Sequence, residues 1–451
     1  VFGGQDRPAG YHALNLALHV VNVLLVWGVA QRLIQRFWLA LAAAALWAVH
    51  PLGTEAVTNI IGRADLLAAT GILTALLAYW RYRESHGATR AGWLAIAGAA
   101  TLAASLSKEH SVAILGVVVL WDLVRVPRGS LAAMIPGWIA LSLPVAAFLI
   151  IRSNVVTTTA SSFPFVDNPI LGAAWLTGRL TALAVTGRYV LLFFWPGTLS
   201  ADYSFQQIPL TTGAATDWML WTVAAATIAA LVLSWRAGRT TLFCAVTAVL
   251  LFLPVSNLLF TSGTIMAERV MYVPAAFLVL AVVAAIDAFT PPSDSALVVA
   301  SVLAVVVVAF AARTFVRNGD WTDELALWSA TVRSAPASFK SHSGLAEALR
   351  QSDPTGESLD RVIAEKDQSL AILDQAPEAS RPPKALYEAA TYHMERAERR
   401  AESASSDAAD YQAVIQLVDR FLASRPDAPD ATAAHLLQAA AYRRMSRGDS
   451  A

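Results

Sequence analysis

Residues 50–65 read HPLGTEAVTNIIGRAD and place His50, Glu55, Arg63 and Asp65 within 16 residues. An imidazole, two carboxylates and a guanidinium so close together can act as general acid, general base and anion ligand. Pro51 and Gly53 break the helix there, which frees backbone N–H groups as further donors to an anion. A structural salt-bridged loop is the competing reading. Downstream, SLSKEHS sets Lys108 beside Glu109 at the end of an apolar run. That pair is read either as buried and paired or as snorkelling to an interface.

A second set of polar residues lies inside a hydrophobic run. His12, Asn15, His19 and Asn22 are spaced 3, 4 and 3, so they share one helical face. Polar groups are unfavourable in hydrocarbon, so this stripe faces protein or a hydrated cavity. Interhelical hydrogen bonding and a substrate-facing role are both open from the spacing alone.

The elements that hold these residues are membrane spans. Of the 451 residues, 56% are apolar and 15% charged, against about 25% charged in a soluble domain. Net charge is zero, so no basic surface points to nucleic acid. The single cysteine, Cys244, excludes a disulfide framework or a cysteine-built metal site. Apolar runs predict spans at 11–33, 37–52, 64–81, 91–107, 109–125, 131–151, 217–235, 241–260, 268–287 and 296–316. The run 174–195 is expected to be re-entrant or interfacial, because Arg179 and Arg188 would be costly at membrane depth.

Loop charge then orients the chain. Arg32, Arg36, Arg81, Arg83, Arg90, Arg125, Arg128, Arg236 and Arg239 fall on one side when 174–195 does not cross. That side is cytoplasmic by the positive-inside rule. The other side receives Arg63, Arg152, Arg179, Arg188, Arg269 and Arg313, with Asp202 and the MAERVMY segment carrying Glu268 and Arg269. Arginines there run against the charge rule, which suggests an anionic partner. Guanidinium binds phosphate bidentately, so a lipid-linked phosphate is the candidate ligand.

From Asn318 onward the chain becomes charged, alanine-rich helix, with helical spacing in Glu324–Val332, Leu359–Leu373, Lys384–Ala401 and Ala413–Leu422. Prolines at 336, 377 and 426 end helices at intervals of 41 and 49 residues, longer than the ~34 of a regular tetratricopeptide repeat. The expected fold is all-α: a polytopic membrane bundle over 1–317, then a soluble tetratricopeptide-like α-solenoid over 318–451.

GGQDRPAGYHALNLALHVVNVLL, HPLGTEAVTNIIGRADLLAA, SLSKEHS, RYVLLFFWPGTLSADYSF, FLPVSNLLF, AERVMYVP and RNGDWTDELALW follow one another along the chain. In type and order they resemble the transmembrane and tetratricopeptide-repeat-containing O-mannosyltransferases and their bacterial relatives. That resemblance implies a glycosyltransferase C fold of about eleven spans, the predicted ten being that architecture without its first span. It implies transfer of a hexose, usually mannose, from a polyprenyl-phosphate carrier to a protein hydroxyl by single displacement with inversion. No metal or other cofactor is expected, and the lipid-linked sugar is a substrate. His50, Glu55, Arg63 and Asp65 would line the site. Lys108, Glu109, Arg152, Arg188, Asp202, Glu268 and Arg269 would form the carrier-phosphate pocket.

One departure matters. The family's acidic motif lies in its first outer loop, whereas Val1 to Asp6 carry only Asp6. The base is therefore expected upstream of Val1, and this chain alone is expected to be inactive. The repeats would bind the acceptor protein outside the cytoplasm, and the Arg- and Ala-rich composition points to a bacterial inner membrane. A non-catalytic scaffold and a lipid or solute transporter are the alternatives. Against the transporter, no internal symmetry is visible and the polar residues sit on one face of the membrane rather than at its midplane.

Overall fold

The computed structural model of the chain describes residues 8–125, 127–156, 163–290, 295–353, 355–402, 408–425 and 429–448. Asp6 and Pro426 lie outside the described residues. Those residues form helices and turns without a β-strand among them, the all-α class expected.

The membrane body opens with α1 (Ala9–Leu33) and α2 (Phe37–Ala48). A short α3 (Thr54–Thr58) then leads into α4 (Arg63–Glu84) and α5 (Gly87–Ser107). Next come α6 (Ile114–Arg125), α7 (Ile135–Val155) and α8 (Trp175–Phe194). The body closes with α9 (Ala215–Leu233), α10 (Arg239–Phe252), α11 (Tyr272–Phe289) and α12 (Ser295–Gly319).

Among the described residues, six helices are long and apolar enough to cross a membrane, or seven when the bent pair at 37–58 counts as one span. That is fewer than the ten expected, for local reasons. α2 has 12 residues and is broken at His50–Pro51, with a 48° bend into the next segment. α6 also has 12, preceded by a 3₁₀ turn over Glu109–Ala113. α10 has 14. α5 has 21, yet its Ala, Gly, Ser and Thr content dilutes its apolarity. At about 1.5 Å per residue, a 12-residue helix covers only about 18 Å of a ~30 Å core. α8, with Arg179 and Arg188, is not among the six.

The break after α2 shapes the polar end of the bundle. His50 is held extended before Pro51, as the proline ring requires. Its Nδ1 accepts from the Leu52 N–H at 3.3 Å. Asn59 caps the next turn through Ile61 N–H at 3.0 Å, and α4 starts at Arg63. Two interruptions in so short a stretch leave carbonyls without helical partners, and these need donors from elsewhere.

The basic loops meet at the other end. Arg32 pairs with Glu84 at 2.5 Å, Arg36 with Asp287 at 3.0 Å, and Arg125 donates to Thr240 at 2.7 Å.

Beyond α12 the tail comprises α13 (Glu324–Ser334), α14 (Phe339–Ser352), α15 (Leu359–Leu373), α16 (Lys384–Glu402), α17 (Ala408–Ser424) and α18 (Ala431–Gly448). Each packs on the next, as stacked helical hairpins do. The tail is fastened to the body. Phe165, Val166 and Phe205 share a core with Phe339 and Leu370, Lys340 pairs with Asp167, and Ser338 Oγ donates to Asp202 Oδ2 at 2.5 Å.

Candidate functional site

The polar stripe on α1 answers the broken hairpin. Asn15 Nδ2 donates to the Val57 and Asn59 carbonyls at 3.2 and 3.0 Å. Asn22 Nδ2 donates to Leu66 O at 3.0 Å. His19 bridges Ala48 O (Nε2, 3.0 Å) and the Tyr272 hydroxyl (Nδ1, 2.7 Å). A carbonyl only accepts, so Nε2 carries the proton and Tyr272 donates to Nδ1. Asn15 and Asn22 are fully buried. Carbonyls at the broken hairpin thus account for Asn15 and His19, and Asn22 reaches a carbonyl in the first turn of α4, so three of the four stripe residues make interhelical hydrogen bonds. His12 is half-buried, and its side chain makes no hydrogen bond among the described residues.

The predicted charged residues form a chain of pairs. Arg63 donates from Nε to Asn15 Oδ1 at 3.1 Å and from Nη2 to Tyr11 O at 3.3 Å, and stacks over the Tyr11 ring. Lys108 pairs with Asp65 at 3.1 Å. Glu55, 2% exposed, takes the Arg269 guanidinium on one oxygen and the Arg269 N–H on the other at 2.9 Å. Glu268 is fully buried. Its Oε1 accepts from the Ser200 N–H at 2.6 Å and the Tyr203 hydroxyl at 2.7 Å, while its Oε2 lies 3.9 Å from the buried Arg317. Arg317 also holds Asp320 at 3.1 Å, linking the last body helix to the tail. Burial, and then the Glu268 carboxylate, push the Tyr203 phenol well above its ordinary 10, so it serves as a donor.

Other expected phosphate ligands stand apart from this network. Arg152 and Glu109 make an ion pair at 2.8 Å in which Glu109 is 64% exposed. Asp202 holds Ser204 Oγ at 2.6 Å and Ser338, so it belongs to the joint with the tail rather than to a phosphate pocket. His50 Nε2 meets Phe193 O at 3.1 Å. Arg179 donates to Leu258 O at 2.7 Å, and Arg313 to Pro196 O at 3.1 Å.

Arg188 is different. It has neither a hydrogen bond nor an ion pair among the described residues, and it lines a cavity of about 420 Å³ between α8, the 198–211 loop and the start of α9. Val185, Leu191, Leu192 and Leu220 give that cavity apolar walls; Thr181, Ser200 and Tyr203 give it hydroxyls. Gly187 makes it possible. A Cβ there would lie 2.2 Å from Leu220 O, so only glycine lets α9 pack so closely against α8. Ser200 and Tyr203 also bind Glu268, so the cavity wall is pinned to the charged network behind it. No metal-binding cluster of three or more His, Cys, Asp or Glu occurs among the described residues.

Against known proteins, the chain is 36% identical over 220 residues to protein O-mannosyl-transferase Tmtc2 of Drosophila melanogaster, covering 47% of this chain and 23% of that one. It is 28% identical over 360 residues to protein O-mannosyl-transferase F38B6.6 of Caenorhabditis elegans, covering 76% and 48%. The match to TMTC4 of Mus musculus is 26% over 400 residues, covering 77% and 53%. The chain is similar to protein O-mannosyl-transferases. It spans about a quarter to a half of the length of these O-mannosyl-transferase relatives. No family model and no solved structure matches it.

Four residues of the network were not singled out in the sequence: Tyr272, Ser200, Tyr203 and Arg317. Each nonetheless falls inside a motif that carried the resemblance, Tyr272 in AERVMYVP, Ser200 and Tyr203 in RYVLLFFWPGTLSADYSF and Arg317 at the head of RNGDWTDELALW.

Proposed function

We propose that the chain carries the membrane body and helical repeats of a glycosyltransferase that moves a hexose, mannose by its relatives' names, from a polyprenyl-phosphate carrier to a protein hydroxyl. One observation carries this reading: the unpaired Arg188 in a cavity with apolar walls and hydroxyls. A polyprenyl-phosphate sugar is a phosphodiester with one negative charge and a hydrocarbon tail. As the glycosidic bond breaks, the phosphate gains negative charge, so a fixed guanidinium binds the transition state more tightly than the donor.

The sequence-named carboxylates are engaged by cations, amides or hydroxyls, so none of them is taken as the general base, which stays in the acidic loop motif that the resemblance implies. We expect Val1–Ala451 alone to bind donor without transferring sugar. By the positive-inside rule the arginine-rich end is cytoplasmic, which puts the Arg188 cavity and the tail outside. A bacterial inner membrane suits the composition. The repeats fastened beside the cavity would present acceptor.

The test is binding of a fluorescent polyprenyl phosphate to the chain in nanodiscs, paired with labelled-mannose transfer by the full-length protein. A charge-assisted hydrogen bond contributes about 1.5–3 kcal/mol, so Arg188→Ala should weaken binding roughly ten- to hundredfold, with Arg188→Lys intermediate. Unchanged binding in Arg188→Ala would move the carrier site elsewhere. Absence of donor binding by the intact chain would favour a scaffold.

A further inference from the structure

At the arginine-rich end of the bundle, opposite the Arg188 cavity, α1, α4 and α5 enclose a second cavity of about 530 Å³. From α1 come Leu25, Gly28, Gln31 and Arg32, a spacing that keeps one face turned into the groove. From α4 come Thr74, Leu77, Ala78 and Arg81 at the same period, and Trp93 and Ile96 of α5 close the side. Along both long helices the order runs from apolar or small residues to a terminal arginine. The groove is therefore greasy along its length and cationic at its mouth.

The charge at that mouth is not neutralised. Both Arg32 nitrogens are held by Glu84, at 2.5 and 2.8 Å. Arg81 is exposed and has neither a hydrogen bond nor an ion pair among the described residues. Two arginines against one glutamate leave a net positive charge. The flank beside the groove is apolar and exposed, with Leu24 at 57% and Ile96 at 44%. Gly28 keeps the floor open, because a Cβ there would already touch Leu77 at 3.5 Å.

We propose that this groove binds one anionic phospholipid, with an acyl chain along the α1–α4 seam and the phosphate at Arg81 and Arg32. Charge complementarity selects the occupant: a zwitterionic lipid supplies the same chain but no net charge to match Arg81. Trp93, which closes the side of the groove, is of the residue type that settles at the headgroup level. The inference is independent of what the opposite cavity binds.

The experiment is native mass spectrometry of the chain extracted in detergent and titrated with phosphatidylglycerol or phosphatidylcholine. One phosphatidylglycerol should be retained selectively. Arg81→Ala should weaken it about five-fold, the effect of one basic residue at an anionic surface. Gly28→Leu, which fills the floor, should lower retention while leaving both arginines in place. If Gly28→Leu does not fold, Arg81→Ala decides alone, since that side chain is exposed. Equal retention of the two lipids, retention unchanged in Arg81→Ala, or displacement by inorganic phosphate alone would overturn the proposal.

Discussion

Arg269 was a candidate phosphate ligand, and the geometry instead commits it to Glu55; substitution distinguishes the two roles. Arg269→Ala leaves a 2% exposed carboxylate with one backbone N–H, since the 2.9 Å bond from residue 269 survives the change. Removing one member of a buried pair costs about 3–5 kcal/mol, and the surviving amide bond argues for the lower end. Glu55→Gln should cost less, about 1–2 kcal/mol. The amide oxygen still accepts from the backbone, and the guanidinium, 29% exposed, can turn toward water or Asp65. If the loss falls on the unfolding step, about 3 kcal/mol is on the order of a hundredfold faster unfolding. The assay is the rate of irreversible heat inactivation in nanodiscs, followed by monodisperse elution, alongside polyprenyl-phosphate binding. Arg269→Ala should unfold much faster and Glu55→Gln moderately. The double variant Glu55→Gln/Arg269→Gln should recover part of the loss. If Arg269→Ala unfolds at the parental rate and loses donor binding, the guanidinium serves the ligand and the pairing argument is wrong.

Gly187→Ala would place a methyl 2.2 Å from Leu220 O, forcing α8 and α9 apart at a cost of about 1–3 kcal/mol. Donor binding should fall although Arg188 is intact, and unaltered binding would show that the α8–α9 contact does not shape the cavity. Ser338→Ala removes the hydroxyl that accepts from Lys340 and Ser341 N–H and donates to Asp202. About 1 kcal/mol of helix capping should be lost, seen as faster hydrogen exchange at the start of α14 and around 202–207. His393 lies between Asp410 (2.9 Å) and Asp367 (3.2 Å). Burial lowers its pKa, but hydrogen bonds and charge from Asp367 and Asp410 outweigh that and raise it above the ordinary 6.5. Its stabilisation is therefore complete below 6.5 and lost as pH rises through the raised value. Protection factors in α16–α17, which remove the intrinsic base catalysis of exchange, should fall as pH rises above 6.5, and His393→Gln should flatten that dependence.

The membrane bundle and the helical tail were legible because hydropathy and helical period are local properties of the chain. Span number was not, since the break at His50–Pro51 and the short α6 and α10 depend on how helix ends pack. The charged residues were legible as a group and not in their individual roles. Nothing near Asn15 or Arg63 in the sequence says that Val57, Asn59 and Tyr11 would offer carbonyls. The Val57 and Asn59 acceptors lie where two turns interrupt the helix between Val49 and Arg63, while that of Tyr11 belongs to the first turn of α1. Likewise Arg317 reads as a juxtamembrane cation, while its burial beside Glu268 arises only when α12 packs on the broken hairpin.

The division among the arginines away from the basic loops follows from one physical rule. A guanidinium near the membrane must have its N–H groups satisfied, and wherever loose backbone or a carboxylate stands near, the protein satisfies them itself. Arg63, Arg179 and Arg313 take carbonyls, and Arg152 and Arg269 take carboxylates. Arg188 projects from α8 into a cavity whose hydroxyl-bearing wall is fixed by Glu268, and its side chain has no partner among the described residues. On the proposed function, a bound anion is the partner it takes. Supplying an internal partner should therefore close the site: Leu220→Glu, on the facing helix, should pair with Arg188 and abolish polyprenyl-phosphate binding. Leu220→Gln fills similar volume without charge and should reduce binding only in part. If the two variants bind equally, occlusion rather than charge explains the loss, and the assignment of Arg188 to the phosphate fails.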